Sequence, residues 1–168
     1  MTPRLPDDNP ADWIAGLYDR FAGALYRYAT MILADPAGAA DAVQQVFLAL
    51  AANRSVRIRC DERYLRRAVR NECYSALRRR RRELTADVGP LLESMSADDD
   101  RPDERIAIDA ALRTLPADQR EVLHLKVFEG MTFQEIAEQV GESINTVASR
   151  YRYALDKLRA RLIMKAKA

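Results

Sequence analysis

The chain has 168 residues, 48% of them hydrophobic and 31% charged, with a formal net charge of +2. That balance suits a soluble globular protein of one or two small domains and excludes a collagen-like or wholly disordered chain. No apolar run approaches a membrane span, the N-terminus lacks a secretory pattern, and Cys60 and Cys73 suit neither a disulfide framework nor a four-ligand zinc site. A cytoplasmic protein with no membrane insertion is expected.

Charge is distributed in blocks. Residues 1–52 hold three basic and six acidic side chains, and residues 53–82 hold twelve arginines against three acids. Residues 83–109 reverse the sign with two basic and nine acidic side chains, and residues 110–168 return to ten basic and seven acidic. A basic block followed by an acidic, apolar-poor one predicts a polyanion-binding surface and then a connector.

Residues 1–10 are polar and proline-rich, and a disordered tail is expected there. From Trp13 to Leu33 the spacing of Ile14, Leu17, Tyr18, Phe21, Leu25 and Tyr28 predicts one amphipathic helix. Asp35 before Pro36 is a helix start, a capping carboxylate followed by proline at the first helical position. The helix it opens buries Val43, Val46, Phe47 and Leu50 and turns Asp41, Gln44, Gln45 and Leu48 outward. Residues 53–61 lack apolar periodicity and are expected to form a loop, in which Ser55 is a candidate for phosphorylation.

Glu62 to Arg82 predicts a helix with two unlike faces. Leu65, Ala68, Val69, Cys73, Ala76 and Leu77 form the buried side. Arg63, Arg67, Arg70, Asn71, Tyr74 and Arg78 form the other, and the helix runs out into Arg79 to Arg82. Arginine is a better phosphate fork than lysine, tyrosine offers a stacking ring, and asparagine offers an amide for base edges. That combination fits a single-stranded nucleic acid. A merely solvated basic helix would leave twelve arginines repelling one another without a counter-charge.

Residues 83–103 break the helical pattern with Gly89, Pro90 and a run of acids, and a flexible linker is expected. From residue 104 a second lobe begins, with Ile106, Ala110 and Leu112 on the buried side of a short helix. Leu115-Pro116 restarts a helix through Phe128, and Gly130 ends it. The lone histidine, His124, falls inside that helix and reads as structural.

Thr132 and Glu135 form a capping box, and Phe133, Ile136, Ala137 and Val140 share one face of the helix that follows. Gly141 supplies a turn, because a left-handed backbone costs little only at glycine. Ser143 can cap the last helix, whose stripe is Val147, Tyr151, Ala154 or Leu155, Leu158 and Leu162. Asn145, Thr146, Ser149, Arg152 and Tyr153 then point outward. A short helix, a glycine turn and a second helix with polar donors at its start suit a DNA major groove. The same spacing suits an ordinary helical hairpin, and the basic first lobe favours the DNA reading.

The expected fold is all-α: two small helical domains joined by a flexible acidic linker, the second containing a helix-turn-helix. No acid–base pair, metal-ligating cluster or glycine-rich phosphate loop is present in the sequence, so neither an enzyme nor a cofactor is expected.

These residues resemble the small, two-domain extracytoplasmic-function (ECF) sigma factors of bacterial RNA polymerase. LPADQREVLHLKVFEGMTFQEIAEQVGESINTVASRYRYALDKLRARL is similar to the family's fourth region, DPAGAADAVQQVFLAL to its core-binding helix, and YLRRAVRNECYSALRRRRR to its promoter-melting helix. The resemblance implies a region 2-like domain over 11–82, a linker over 83–103 and a region 4-like domain over 104–168. It implies core RNA polymerase and promoter DNA as partners, and an anti-sigma factor or other regulatory protein. The minus-thirty-five element would be read as duplex by Asn145, Thr146, Ser149, Arg150 and Arg152, and the minus-ten element held as melted strand through Asn71 and its neighbours. Asp41, Gln44, Gln45 and Leu48 would face the polymerase.

The chain departs from the family's pattern at several positions. Tyr64 stands where tryptophan is usual, Ser75 where aspartate is frequent, and Ala148 where a basic residue is frequent. Ala40 and Gln45 stand where acids are usual, which points to weaker core binding. The competing function is a helix-turn-helix regulator that never acts as a sigma subunit.

Overall fold

A computed structural model describes residues 10–53, 62–86 and 102–166. Among these residues the chain forms seven helices and no strand. They are α1 (Pro10–Leu33), α2 (Pro36–Ala52), α3 (Glu62–Ala86), α4 (Pro102–Arg113), α5 (Ala117–Val127), α6 (Phe133–Val140) and α7 (Ile144–Ala166). The chain divides into two compact units, Met1–Leu77 and Arg78–Ala168. The tail before Pro10, the loop with Ser55 and the linker between 87 and 101 lie outside the described residues.

In the first unit α1 packs on α2. Only the second half of α1 is deeply buried, at Leu25, Tyr28, Ala29 and Ile32. Tyr18 was expected on that stripe but is 49% exposed, its ring set edge-on to Phe47 with centroids 5.0 Å apart. The stripe therefore runs past the end of the core. α2 starts as its sequence demands: Asp35 Oδ1 accepts a hydrogen bond from the Ala37 backbone N–H at 3.1 Å, with Pro36 at the first helical position. Gly38 makes room for that cap, since a Cβ there would sit 2.8 Å from Asp35 Oδ2. Leu65, Val69 and Cys73 of α3 are fully buried, four residues apart, while Ala68, Ala76 and Leu77 are only half-buried.

α1 ends at Ala34, whose φ of 52 lies in the left-handed region that a Cβ disfavours by about 1–2 kcal/mol. Ala34→Gly removes that strain at the cost of a more flexible unfolded chain. The expected net gain is about 0.5–1 kcal/mol, read as a rise in thermal midpoint. An unchanged or lower midpoint would refute it.

Helix ends depart from the sequence reading at four places. Pro10 is already helical, Glu83 to Ala86 extend α3 into the stretch expected to be linker, α4 starts at Pro102, and α5 stops at Val127. The α3 extension has no apolar pattern because it has no core to face. Arg78 to Leu84 are exposed on every side. Helix propensity favours the extension, arginine, leucine and glutamate all being good helix formers.

In the second unit α7 packs on α4, α5 and α6. Leu115, Leu123 and Ala154 form a core with Leu112, Tyr151, Leu155 and Leu158 against it. Among the described side chains of α4, Ala111 is buried and the expected Leu112 packs half-buried against the core, whereas the expected Ile106 and Ala110 are exposed. A twelve-residue helix allows more than one face to look apolar, and Ile106 and Ile108 lie outside the seam. Leu162 is likewise 38% exposed, because α7 outruns its neighbours.

Candidate nucleic-acid interfaces

The helix-turn-helix is built by its caps. Thr132 Oγ1 accepts from the Glu135 backbone N–H at 3.2 Å, and Glu135 Oε2 accepts from the Thr132 backbone N–H at 2.7 Å, a complete capping box. α6 then buries Ile136, Ala137 and Val140, and also Gln139, which periodicity did not assign to the core. Gly141 closes the helix at φ 74 and ψ 36, its N–H donating to Ala137 O at 2.9 Å. Ser143 Oγ accepts from the Thr146 N–H at 3.1 Å and opens α7. The turn before α6 is fixed by Lys126, whose Nζ donates to Met131 O at 3.1 Å and lies over the Phe133 ring.

Along α7, Asn145, Arg152 and Tyr153 are exposed and Ser149 is half-exposed. Val147 and Ala154 are fully buried beneath them. Thr146 is half-buried, and its Oγ1 lies 2.8 Å from Ser143 Oγ, so it belongs to the cap as well as to the outward face. Arg152 leans over the Tyr153 ring at 5.2 Å, a pair of exposed groups offering a charge beside a π face. Arg150 differs from the others. Its Nε lies 2.9 Å from Asp118 Oδ2 and a terminal nitrogen 3.0 Å from Glu142 Oε1.

On α3, Tyr64, Arg67 and Asn71 are exposed, and Arg70 and Tyr74 are half-buried. Spacings of three, four and three residues between Tyr64, Arg67, Asn71 and Tyr74 keep these four on one helical stripe. The Arg70 guanidinium lies over the Tyr74 ring, 4.6 Å from its centroid. Arg78, the first residue of the second unit, is also exposed. On α2, Asp41, Gln44, Gln45 and Leu48 are all exposed, and they recur at the 3–4 spacing of a single face. Leu48 is 54% exposed there, an apolar residue on an otherwise polar stripe.

Sequence reasoning missed the buried charges of α5. Arg120 is 7% exposed and donates to the Leu115 carbonyl oxygen, and Glu121 is fully buried. Their position between Gln119 and Val122 carries no signal that separates them from solvated residues. His124 sits as expected inside the helix, 3% exposed and stacked on Phe128 at 5.3 Å, with Nε2 3.4 Å from Glu129 Oε1. Among the described residues no group of three or more histidines, cysteines or acids could hold a metal ion, and no helix is long and apolar enough to cross a membrane.

The two exposed basic faces fall in two regions that match known families. Residues 17–83 match the family model for sigma-70 region 2, and residues 105–158 match that for sigma-70 region 4. The ECF RNA polymerase sigma factor SigL of Mycobacterium tuberculosis (strain ATCC 25618 / H37Rv) is 32% identical over 155 residues, covering 87% of this chain and 86% of the relative. The chain belongs to the ECF sigma factors.

SigK of Mycobacterium sp. (strain KMS), also an ECF RNA polymerase sigma factor, is 27% identical over 167 residues, covering 86% of this sigma factor and 80% of that one. Among solved structures, the sigma factor RpoE in complex with the anti-sigma factor NepR from Bartonella quintana superposes with a TM-score of 0.74 at 27% identity, covering 88% of this chain and 95% of that one. CnrH, solved in complex with the cytosolic domain of CnrY, shares the fold with a TM-score of 0.58 at 23% identity, covering 95% and 96% of the two chains. The presence of both regions sets aside the regulator that never joins a polymerase. A sigma factor is an initiation factor, not an enzyme.

Proposed function

We propose a division of labour between the two lobes of this sigma factor. The region 2-like domain, residues 11–82, binds core RNA polymerase through the exposed α2 stripe of Asp41, Gln44, Gln45 and Leu48. Its α3 stripe of Tyr64, Arg67, Arg70, Asn71, Tyr74 and Arg78 holds the melted minus-ten strand. The region 4-like domain, residues 104–168, reads the minus-thirty-five duplex with Asn145, Thr146 and Ser149, while Arg152 meets phosphate. Residues between α3 and α4 act as a tether, the protein works in the cytoplasm, and an anti-sigma protein binds it, RpoE having been solved in complex with the anti-sigma factor NepR.

The observation that carries this reading is the chemical contrast between the two exposed faces. α3 combines arginines with exposed tyrosine and asparagine, whereas α7 opens on short polar side chains above a buried Val147. Rings and forks suit unpaired bases, and short donors at a helix start suit groove edges. In vitro transcription with core enzyme on genomic fragments tests it. Discrete start sites that depend on the protein are expected, and failure both to bind core and to initiate would refute it.

The α2 stripe makes a further measurable prediction. Ala40 and Gln45 are exposed and uncharged, and each exposed ion pair contributes roughly 0.2–1 kcal/mol. The Ala40→Glu, Gln45→Glu variant is expected to bind core enzyme tighter by about 0.4–2 kcal/mol at low salt. The gain fades as salt screens it. Unchanged or weaker binding at low salt would rule out a basic partner surface.

A further inference from the structure

Arg150 lies on the opening turns of α7 among the residues assigned to duplex contact, but its guanidinium is already engaged. Asp118 comes from the first turn of α5 and Glu142 from the turn after α6. Arg150 joins both at 2.9 and 3.0 Å, so three separate pieces of the lobe meet at one side chain. The Arg150 side chain is 22% exposed, less than the 36% and 38% of its two carboxylate partners. One positive and two negative charges leave this cluster with a net charge of −1. A phosphate approaching it meets repulsion, not a spare cation.

We infer that Arg150 is a positioning residue, which sets the roll of α7 against α5 and the turn and so aims Asn145, Thr146 and Ser149 at the groove. This rests on the duplex reading proposed above for α7. The packing beneath gives the ion pairs their purpose. Val147 and Ala154 are fully buried on α7, and Tyr151, Leu155 and Leu158 pack beside them, but apolar contacts are non-directional and do not by themselves fix the roll of a helix. A guanidinium held from two directions resists rotation strongly, because its donors lie in a rigid planar fork. Lysine could neutralise the same carboxylates without fixing an angle.

The test uses the full chain assembled with core RNA polymerase and a duplex library carrying a randomised upstream window. Asp118→Asn with Glu142→Gln removes two negative charges from the lobe and leaves the charge of Arg150 in place. Positioning requires that sequence preference flatten, by roughly ten-fold between best and average sites, the scale of one lost base contact. Affinity for average sites holds or rises, since two repulsive charges are gone. Undiminished preference, with binding equal to or stronger than wild type, would make Arg150 a phosphate contact masked by carboxylates and overturn the inference. Asp118→Asn alone, which leaves Glu142 as an anchor, gives a smaller loss in the same direction and decides the matter if the double variant unfolds. Arg152→Gln provides the contrast: weaker binding at all sites alike and a salt slope lower by about 0.9. If the wild type itself selects no sequence, the duplex reading of α7 fails separately. Amide exchange across Asn145 to Ser149 then decides positioning: faster exchange in the double variant supports it, and unchanged exchange overturns it.

Discussion

Replacing Ile136 with alanine is expected to destabilise the second lobe by about 2–5 kcal/mol, the range for emptying a buried aliphatic site. Ile136 is fully buried, and α6 is only eight residues long. A helix of that length is not stable alone, so α6 exists because its face is packed. Losing its largest buried side chain removes most of what holds the helix-turn-helix together. Denaturant unfolding of the full chain should show the loss, and promoter-directed transcription should fall with it. Leu162→Ala is the comparison. Leu162 follows Leu158 at helical spacing, but it is 38% exposed, and its substitution should stay within about 0.5 kcal/mol. Equal costs at the two positions would mean that burial does not decide the stability of this lobe.

The second large effect is expected at the melted strand. Stacking on an aromatic side chain contributes about 1–3 kcal/mol per base. Tyr64→Ala, by losing a stack, and Asn71→Ala, by losing a base-edge contact of roughly 1–3 kcal/mol, should each reduce open-complex formation by roughly 5- to 150-fold while sparing the closed complex. Both residues are exposed on one stripe of α3, and neither belongs to the core. Premelted templates give the discriminating measurement. Loss on premelted and intact templates alike fits a direct strand contact, whereas full rescue by premelting would overturn it.

The features legible in the sequence were those encoded within a few residues. The capping box of Thr132 and Glu135, the Gly141 turn, the Asp35-Pro36 start and the outward stripes of α2 and α3 all follow from local spacing and local hydrogen bonding. Illegible features depend on what lies across the fold. The stripe through Tyr18 and the one through Leu162 continue correctly along their helices, but periodicity does not say where a partner helix stops. Ile106, Ala110 and Ala111 of α4 look alike in local spacing, and only the packed lobe separates the buried Ala111 from the other two. The extension of α3 to Ala86 was hidden by composition, because a helix without a core shows no amphipathic signal. The ion pairs of Arg150 are illegible because Asp118 and Glu142 are distant in the chain, and pairing at that range leaves no trace in spacing. The burial of Arg120 and Glu121 is illegible too, because nothing in their neighbours along the chain separates them from solvated charges.

The guanidinium of Arg70 over Tyr74 constrains the path of any strand that reaches it. One side of the tyrosine ring, on a half-buried residue, is covered by the cation, 4.6 Å from the ring centroid. A base of the melted strand that stacked on Tyr74, as proposed, would have to come from the side away from the cation and would gain from a ring polarised by the charge behind it. It could not be followed by a second base on the far side. On that reading Tyr74 is a bookend and not a page: a column of bases leaning on it would finish there, because the guanidinium of Arg70 occupies the place of the next base.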